Sequence, residues 1–144
     1  MHFDFWCRWL LWASAFFVGF GVVAAIAPHS GLFDFWTREI DDYFFAGTID
    51  SSALAMRGFL MGPLGATIAG SYLLQVFVIA VPFRKREAWA WHAVVWSTLL
   101  WFVVDSTMSA IAGAYFNIYL INLMPLVVCG IPLAATRSML SSTR

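Results

Sequence analysis

Between Glu87 and Arg137 the chain carries a single charged side chain, Asp105. The run opens Trp-Ala-Trp-His and passes Asp105-Ser-Thr-Met-Ser-Ala-Ile-Ala before Gly113. An apolar stretch of that length predicts a membrane helix, a turn and a second membrane helix. A soluble domain carries about 25% charged residues, whereas here the share is 11%, with a mean hydropathy of +0.81. An acid inside a membrane helix costs roughly 2.5–3.5 kcal/mol to insert. The chain must therefore offer Asp105 a partner, a proton or water.

Two further apolar stretches precede this one. Trp9–Ala27 is apolar apart from Ser14. It exceeds the roughly 7–15 residues of a signal-peptide core, and Pro28 directly follows the Ala-Ile-Ala that would be its cleavage site. It therefore reads as a retained helix, with residues 1–8 as an amphipathic lead-in. From Gly58 to Phe83 no charged residue occurs. The fold expected is all-α: one domain over 1–144, an up-down four-helix membrane bundle with helices near 9–27, 52–82, 88–113 and 117–136. The short connections at 82–88 and 113–117 make neighbours antiparallel.

The polar segment 28–57 holds a second pattern. Phe33, Trp36, Ile40 and Phe44 alternate at helical spacing with Asp34, Arg38, Glu39, Asp41 and Asp42. This predicts a short amphipathic helix over 32–46, outside the membrane and with the four apolar residues turned inward. Basic residues fix the orientation. Arg8, Arg84, Lys85, Arg86, Arg137 and Arg144 fall on one side, and only Arg38 and Arg57 on the other. By the positive-inside rule both termini are cytoplasmic, in a helical protein of the kind expected in a bacterial inner membrane.

Gly58, Gly62, Ala66 and Gly70 recur every four residues. Such a ladder lets another helix approach closely, within the bundle or in a homo-oligomer or partner protein. The formal net charge of zero gives no reason to expect a nucleic-acid partner. His2, His29 and His92 are scattered, so no metal site or other cofactor is expected. Cys7 and Cys129 form no CxxC motif and read as apolar fillers.

The candidate site gathers around Asp105. At 1.5 Å per residue it lies about 12 Å below Gly113, in the outer half of the membrane. Thr98, Trp101 and Ser109 share its helix face. Arg57 starts the second membrane helix from that side, and Asn122 starts the fourth. An Asp105–Arg57 pair helped by Asn122 is the expected arrangement. It would make a ligand pocket or a polar clamp, whereas neutral partners alone would suit a proton-coupled role. A path from Asp105 to His92 would need Gln75, Ser97, Thr98 and water.

Arg57, Phe59, His92, an acid in the third helix and Pro125 together resemble the small scaffold protein of ergosterol biosynthesis. In outline the chain is also similar to DoxX-type four-helix membrane proteins. The likeness covers about residues 57–135, and the scaffold's lysine-rich tail has no counterpart. It implies a four-span membrane fold and assigns no catalytic residue. Three functions follow from the residues: a membrane protein binding lipid or a small hydrophobic ligand, or serving as an accessory subunit; a small proton-linked transporter; and an intramembrane lipid-modifying enzyme using Asp105.

Overall fold

The computed structural model describes residues 3–140. Arg144 and His2 lie outside them. The chain is all-α, with no β-strand among the described residues. Four helical stretches are long and apolar enough to cross a membrane: Phe3–Ile26, Ser51–Phe83, Ala88–Ile111 and Tyr115–Met139. The first is α1 (Phe3–Ile26). The second is α3 (Ser51–Val78), continued by a π turn at Ile79–Phe83. The third is α4 (Ala88–Ile111). The fourth joins α5 (Tyr115–Asn117), a π turn at Ile118–Asn122 and α6 (Leu123–Thr136). Large apolar side chains point outward on all four, among them Trp12, Phe59, Leu100 and Tyr119.

The first helix begins at Phe3, not near Trp9. Its buried residues are Phe3, Cys7, Leu10, Ser14, Phe17, Gly21 and Ala24. They alternate at steps of four and three, the seam of a helix packed along its whole length. Asp4 and Arg8 sit on the exposed side of that seam, so they do not interrupt it. Cys7 and Cys129 are free thiols in the same core as Leu10, Ile79, Phe83 and Leu133.

The closest helix contact joins α1 to α3. A Cβ added to Gly21 would lie 2.6 Å from the Ala69 nitrogen and the Gly65 oxygen, and one on Gly65 would meet the Ala25 nitrogen at 2.6 Å. Gly21-xxx-Ala25 therefore faces Gly65-xxx-Ala69, backbone on backbone. The ladder expected to make this contact does not. Nothing lies within 4 Å of a Cβ on Gly62 or Gly70, Ala66 is exposed, and Gly58 meets the His29 ring. Both sets step by four, but they occupy different faces of one helix, and the small residues of α1 select the Gly65 face.

The fourth span is held partly through a carbonyl that its own sequence releases. Pro132 has no N–H for the Val128 carbonyl, four residues back. The Trp9 indole Nε1 donates to that carbonyl at 3.0 Å. Five residues further on, Trp91 Nε1 donates to the Leu133 carbonyl at 2.8 Å. Two tryptophans that belt composition would place only at the interface thus tie α1 and α4 to the fourth span.

Between the first two spans, a 3-10 turn at Gly31–Phe33 leads into α2 (Asp34–Phe45). Phe33 is 1% exposed, packed on Phe20, Ala24 and Met61. Trp36 and Ile40 are half-buried, but Phe44 is 52% exposed, against the inward position expected for it. The helix ends one residue later, at Phe45, with Ala46 and Gly47 both at positive φ, so its last turn overhangs. Tyr43 instead donates to the Ala112 carbonyl at 3.3 Å.

Candidate functional site

Asp105 lies in α4 six residues before its end, about 9 Å along the axis at 1.5 Å per residue. The side chain is half-buried. Three donors converge on one of its oxygens, Oδ1: Asn122 Nδ2 at 2.8 Å, Asn117 Nδ2 at 2.9 Å and the Ser109 hydroxyl at 3.2 Å. Asn117 Nδ2 also donates to Ser109 Oγ at 2.9 Å, and Asn122 Nδ2 to Ser106 Oγ at 3.1 Å. Trp36 closes the set from α2, its Nε1 donating to Asn117 Oδ1 at 3.0 Å.

Asn117 and Asn122 can share this site only because the helix between them is not α. Five residues apart on an α-helix, two side chains point about 140° away from each other. The π turn at Ile118–Asn122 replaces that geometry with i→i+5 bonding. The Leu123 N–H bonds the Ile118 carbonyl, just ahead of Pro125, which has no N–H to give. The wider turn brings both amides against Asp105.

The expected partner, Arg57, is not there. Its guanidinium pairs with Asp41 of α2, at the rim where α2 crosses the start of α3. Asp41 lies on the polar face of the amphipathic helix, and the pair forms at that rim with both side chains only about a fifth exposed, so each largely buried charge is met by the other. Thr98 and Trp101 are also outside the cluster. Thr98 lines a groove between α4 and α6, and Trp101 is exposed. Ser109 and Asn122 join Asp105 as expected. Ser106, Asn117 and Trp36 complete the site without having been expected in it.

Two features leave the site unfinished. Asn122 is fully buried, yet its Oδ1 has no donor. Asp105 Oδ2 receives no hydrogen bond among the described residues, while Oδ1 holds three. Among the described residues, every hydrogen-bond partner of Asp105 is a neutral side chain. Two of the polar groups that a path to His92 would need are engaged elsewhere: Gln75 with Ser14 and Cys129, Ser97 with the Val94 carbonyl. His92 itself is exposed beside Trp91. No group of three potential metal-ligating side chains occurs among the described residues. Two apolar grooves beside the fourth span are lined by residues other than those of the cluster.

No family model matches this chain, and neither a curated protein nor a solved structure matches it.

Proposed function

We propose that this is an integral membrane protein of four spans in up-down order, both termini cytoplasmic, that binds a lipidic or small apolar ligand by its hydrogen-bond donor at Asp105. The outward apolar side chains of all four stretches support the membrane reading, since water would leave them unburied. The basic residues support the orientation. Arg86 stacks on Phe3 and donates to the Met139 carbonyl, so the basic loop and both described ends of the chain meet. The observation that carries the ligand reading is the mismatch at Asp105. Acceptors outnumber donors: Asn122 Oδ1 is buried and empty, and Asp105 Oδ2 is unpaired. An unsatisfied buried acceptor costs about 1–3 kcal/mol. A ligand hydroxyl, amine or amide arriving from the outer leaflet would supply a donor to Asp105 Oδ2, while its apolar body lay against exposed Val104 and Met108.

The protein purified from its membrane in polymer discs should carry such a molecule, identifiable by mass spectrometry. Asp105→Asn keeps an acceptor for Asn117, Asn122 and Ser109 but puts an amide N–H₂ in place of Oδ2. The variant should fold and lose the molecule. Equal recovery from both proteins, or no enriched molecule from either, would defeat the reading.

A proton-linked role is favoured by one specific observation: every hydrogen-bond partner of Asp105 is neutral. In that reading the missing donor is a proton on the carboxyl itself. Infrared spectroscopy separates the two. A carboxylic-acid carbonyl band present in the ligand-free protein and absent from Asp105→Asn would favour the proton.

A further inference from the structure

Two grooves flank the fourth span, and each ends at an arginine. One, of about 330 Å³, runs between α4 and α6 along Trp91, Val95, Leu99, Leu126 and Gly130 to Arg137. The other, of about 540 Å³, runs between α1 and α6 along Trp9, Trp12, Phe16, Met124 and Val128 to Arg8. The walls of both are almost wholly apolar. Gly130 opens the first, because nothing lies within 4 Å of a Cβ built there. Arg137 lies over the Trp91 ring, 5.9 Å from its centroid. Neither Arg8 nor Arg137 pairs with a carboxylate among the described residues. By contrast, the two arginines at the opposite end of the bundle, Arg38 and Arg57, both do.

That contrast gives the grooves a chemistry. A slot with greasy walls and one unpaired guanidinium at its mouth suits a molecule with a long apolar tail and an anionic head. Both mouths open at the end that also carries Arg84, Lys85 and Arg86, where cations collect and anionic headgroups would be concentrated. We propose that each groove seats an acyl chain of an anionic phospholipid from the cytoplasmic leaflet, its phosphate on Arg8 or Arg137. An Arg guanidinium can meet phosphate oxygens with two parallel N–H donors, and an apolar chain fills the slot that the small residues of α6 leave open. This rests on the membrane-spanning orientation proposed above, but not on any ligand at Asp105, which lies towards the other end of α4.

The test is native mass spectrometry of the full chain released from discs of phosphatidylcholine mixed with phosphatidylglycerol. The intact protein should retain phosphatidylglycerol selectively. Arg137→Gln and Arg8→Gln should each weaken retention about fivefold, the effect of one cation near a charged surface. Gly130→Leu keeps both arginines but fills the first groove. It should reduce retention there without unfolding the protein, because its side chain enters open space. Circular dichroism on each variant verifies that the helices persist. Equal retention of the two lipids by the intact protein, or undiminished selectivity in the arginine variants, overturns the proposal. Failure of the orientation itself reads out separately: a cysteine placed at Lys85 and labelled only from the outside of sealed cells would show the basic loop on the wrong side.

Discussion

Gly21→Leu should abolish the native packing of α1 on α3, the largest effect expected from any single substitution outside the polar cluster. The obstacle is backbone. Even the Cβ would sit 2.6 Å from the Ala69 nitrogen and the Gly65 oxygen, and neither atom can rotate away as a side-chain tip can. The helices must separate, and with them go the contacts that let Phe17 stack on Tyr72 at 4.6 Å and Gln75 reach Ser14 at 3.1 Å. Overpacking of well-packed cores typically costs 1–3 kcal/mol, and a clash on both faces of one crossing belongs at or above the top of that range. Gly65→Leu should match it. Gly62→Leu and Gly70→Leu are the controls, because their Cβ positions are open. Steric-trap or denaturant unfolding in bicelles measures all four. If Gly62→Leu destabilises the monomer as much as Gly21→Leu, the register of α1 on α3 described here is wrong. If it changes only a concentration-dependent step, the outward ladder joins two copies.

That pair of glycine sets shows how far the sequence could be read. A four-residue step of small residues says that some face of α3 admits a backbone, and two faces of this helix satisfy it. The choice lies in α1, where Gly21 and Ala25 are four apart, and only a pairwise reading of the two helices finds it. The first span was short by about two turns for a related reason. Asp4 and Arg8 broke a purely compositional stretch, whereas the alternating steps of four and three from Phe3 to Ala24 run straight through them. Element type was legible because length and hydropathy dominate it, and the extents of the last three spans shifted little. Which face met which neighbour was not, because in an apolar chain almost every face is apolar.

The candidate site was legible in its centre and not in its partners. One acid in a long uncharged run must be satisfied, and that reasoning isolated Asp105. Opposite charge makes Arg57 the strongest partner for an acid in the sequence, but Asp41 of α2 lies nearer to it at the rim and takes it. The sequence puts Asn117 in the connection at 113–117, whereas in the structure it closes the helical turn α5 and leads straight into the π turn. Pro125 was the one signal that the helix would be irregular, and the π turn before it is what makes Asn117 and Asn122 neighbours. Trp36 joined because an amphipathic helix laid across the end of a bundle brings its indole to whatever acceptor is exposed there.

Asp105→Leu should move insertion and packing in opposite directions. Insertion of the isolated third span becomes easier by up to about 4 kcal/mol, since leucine is favourable by about 0.5 kcal/mol where aspartate costs roughly 2.5–3.5 kcal/mol at the bilayer centre. The gain is smaller than that limit because Asp105 lies towards one end of the helix. Packing loses an acceptor that serves three donors. Side-chain hydrogen bonds between membrane helices average about 0.6 kcal/mol each, so the two from Asn117 and Asn122 amount to about 1 kcal/mol of weakened association with the fourth span. The loss should reach α2, because Asp105 orients the Asn117 amide that accepts from Trp36. The Tyr43–Ala112 bond and the Arg57–Asp41 pair remain, so α2 should loosen rather than detach. Hydrogen exchange measured over residues 34–45 should rise in Asp105→Leu and stay near the parent's rate in Asp105→Asn, which retains the acceptor. Substituting Trp36→Phe should raise exchange in α2 alone, leaving α4 and the fourth span protected. If Asp105→Leu left the exchange of α2 unchanged, the carboxylate would not be what holds the cap helix in place, and the Trp36–Asn117 bond would be a neighbour of the cluster rather than its outermost link.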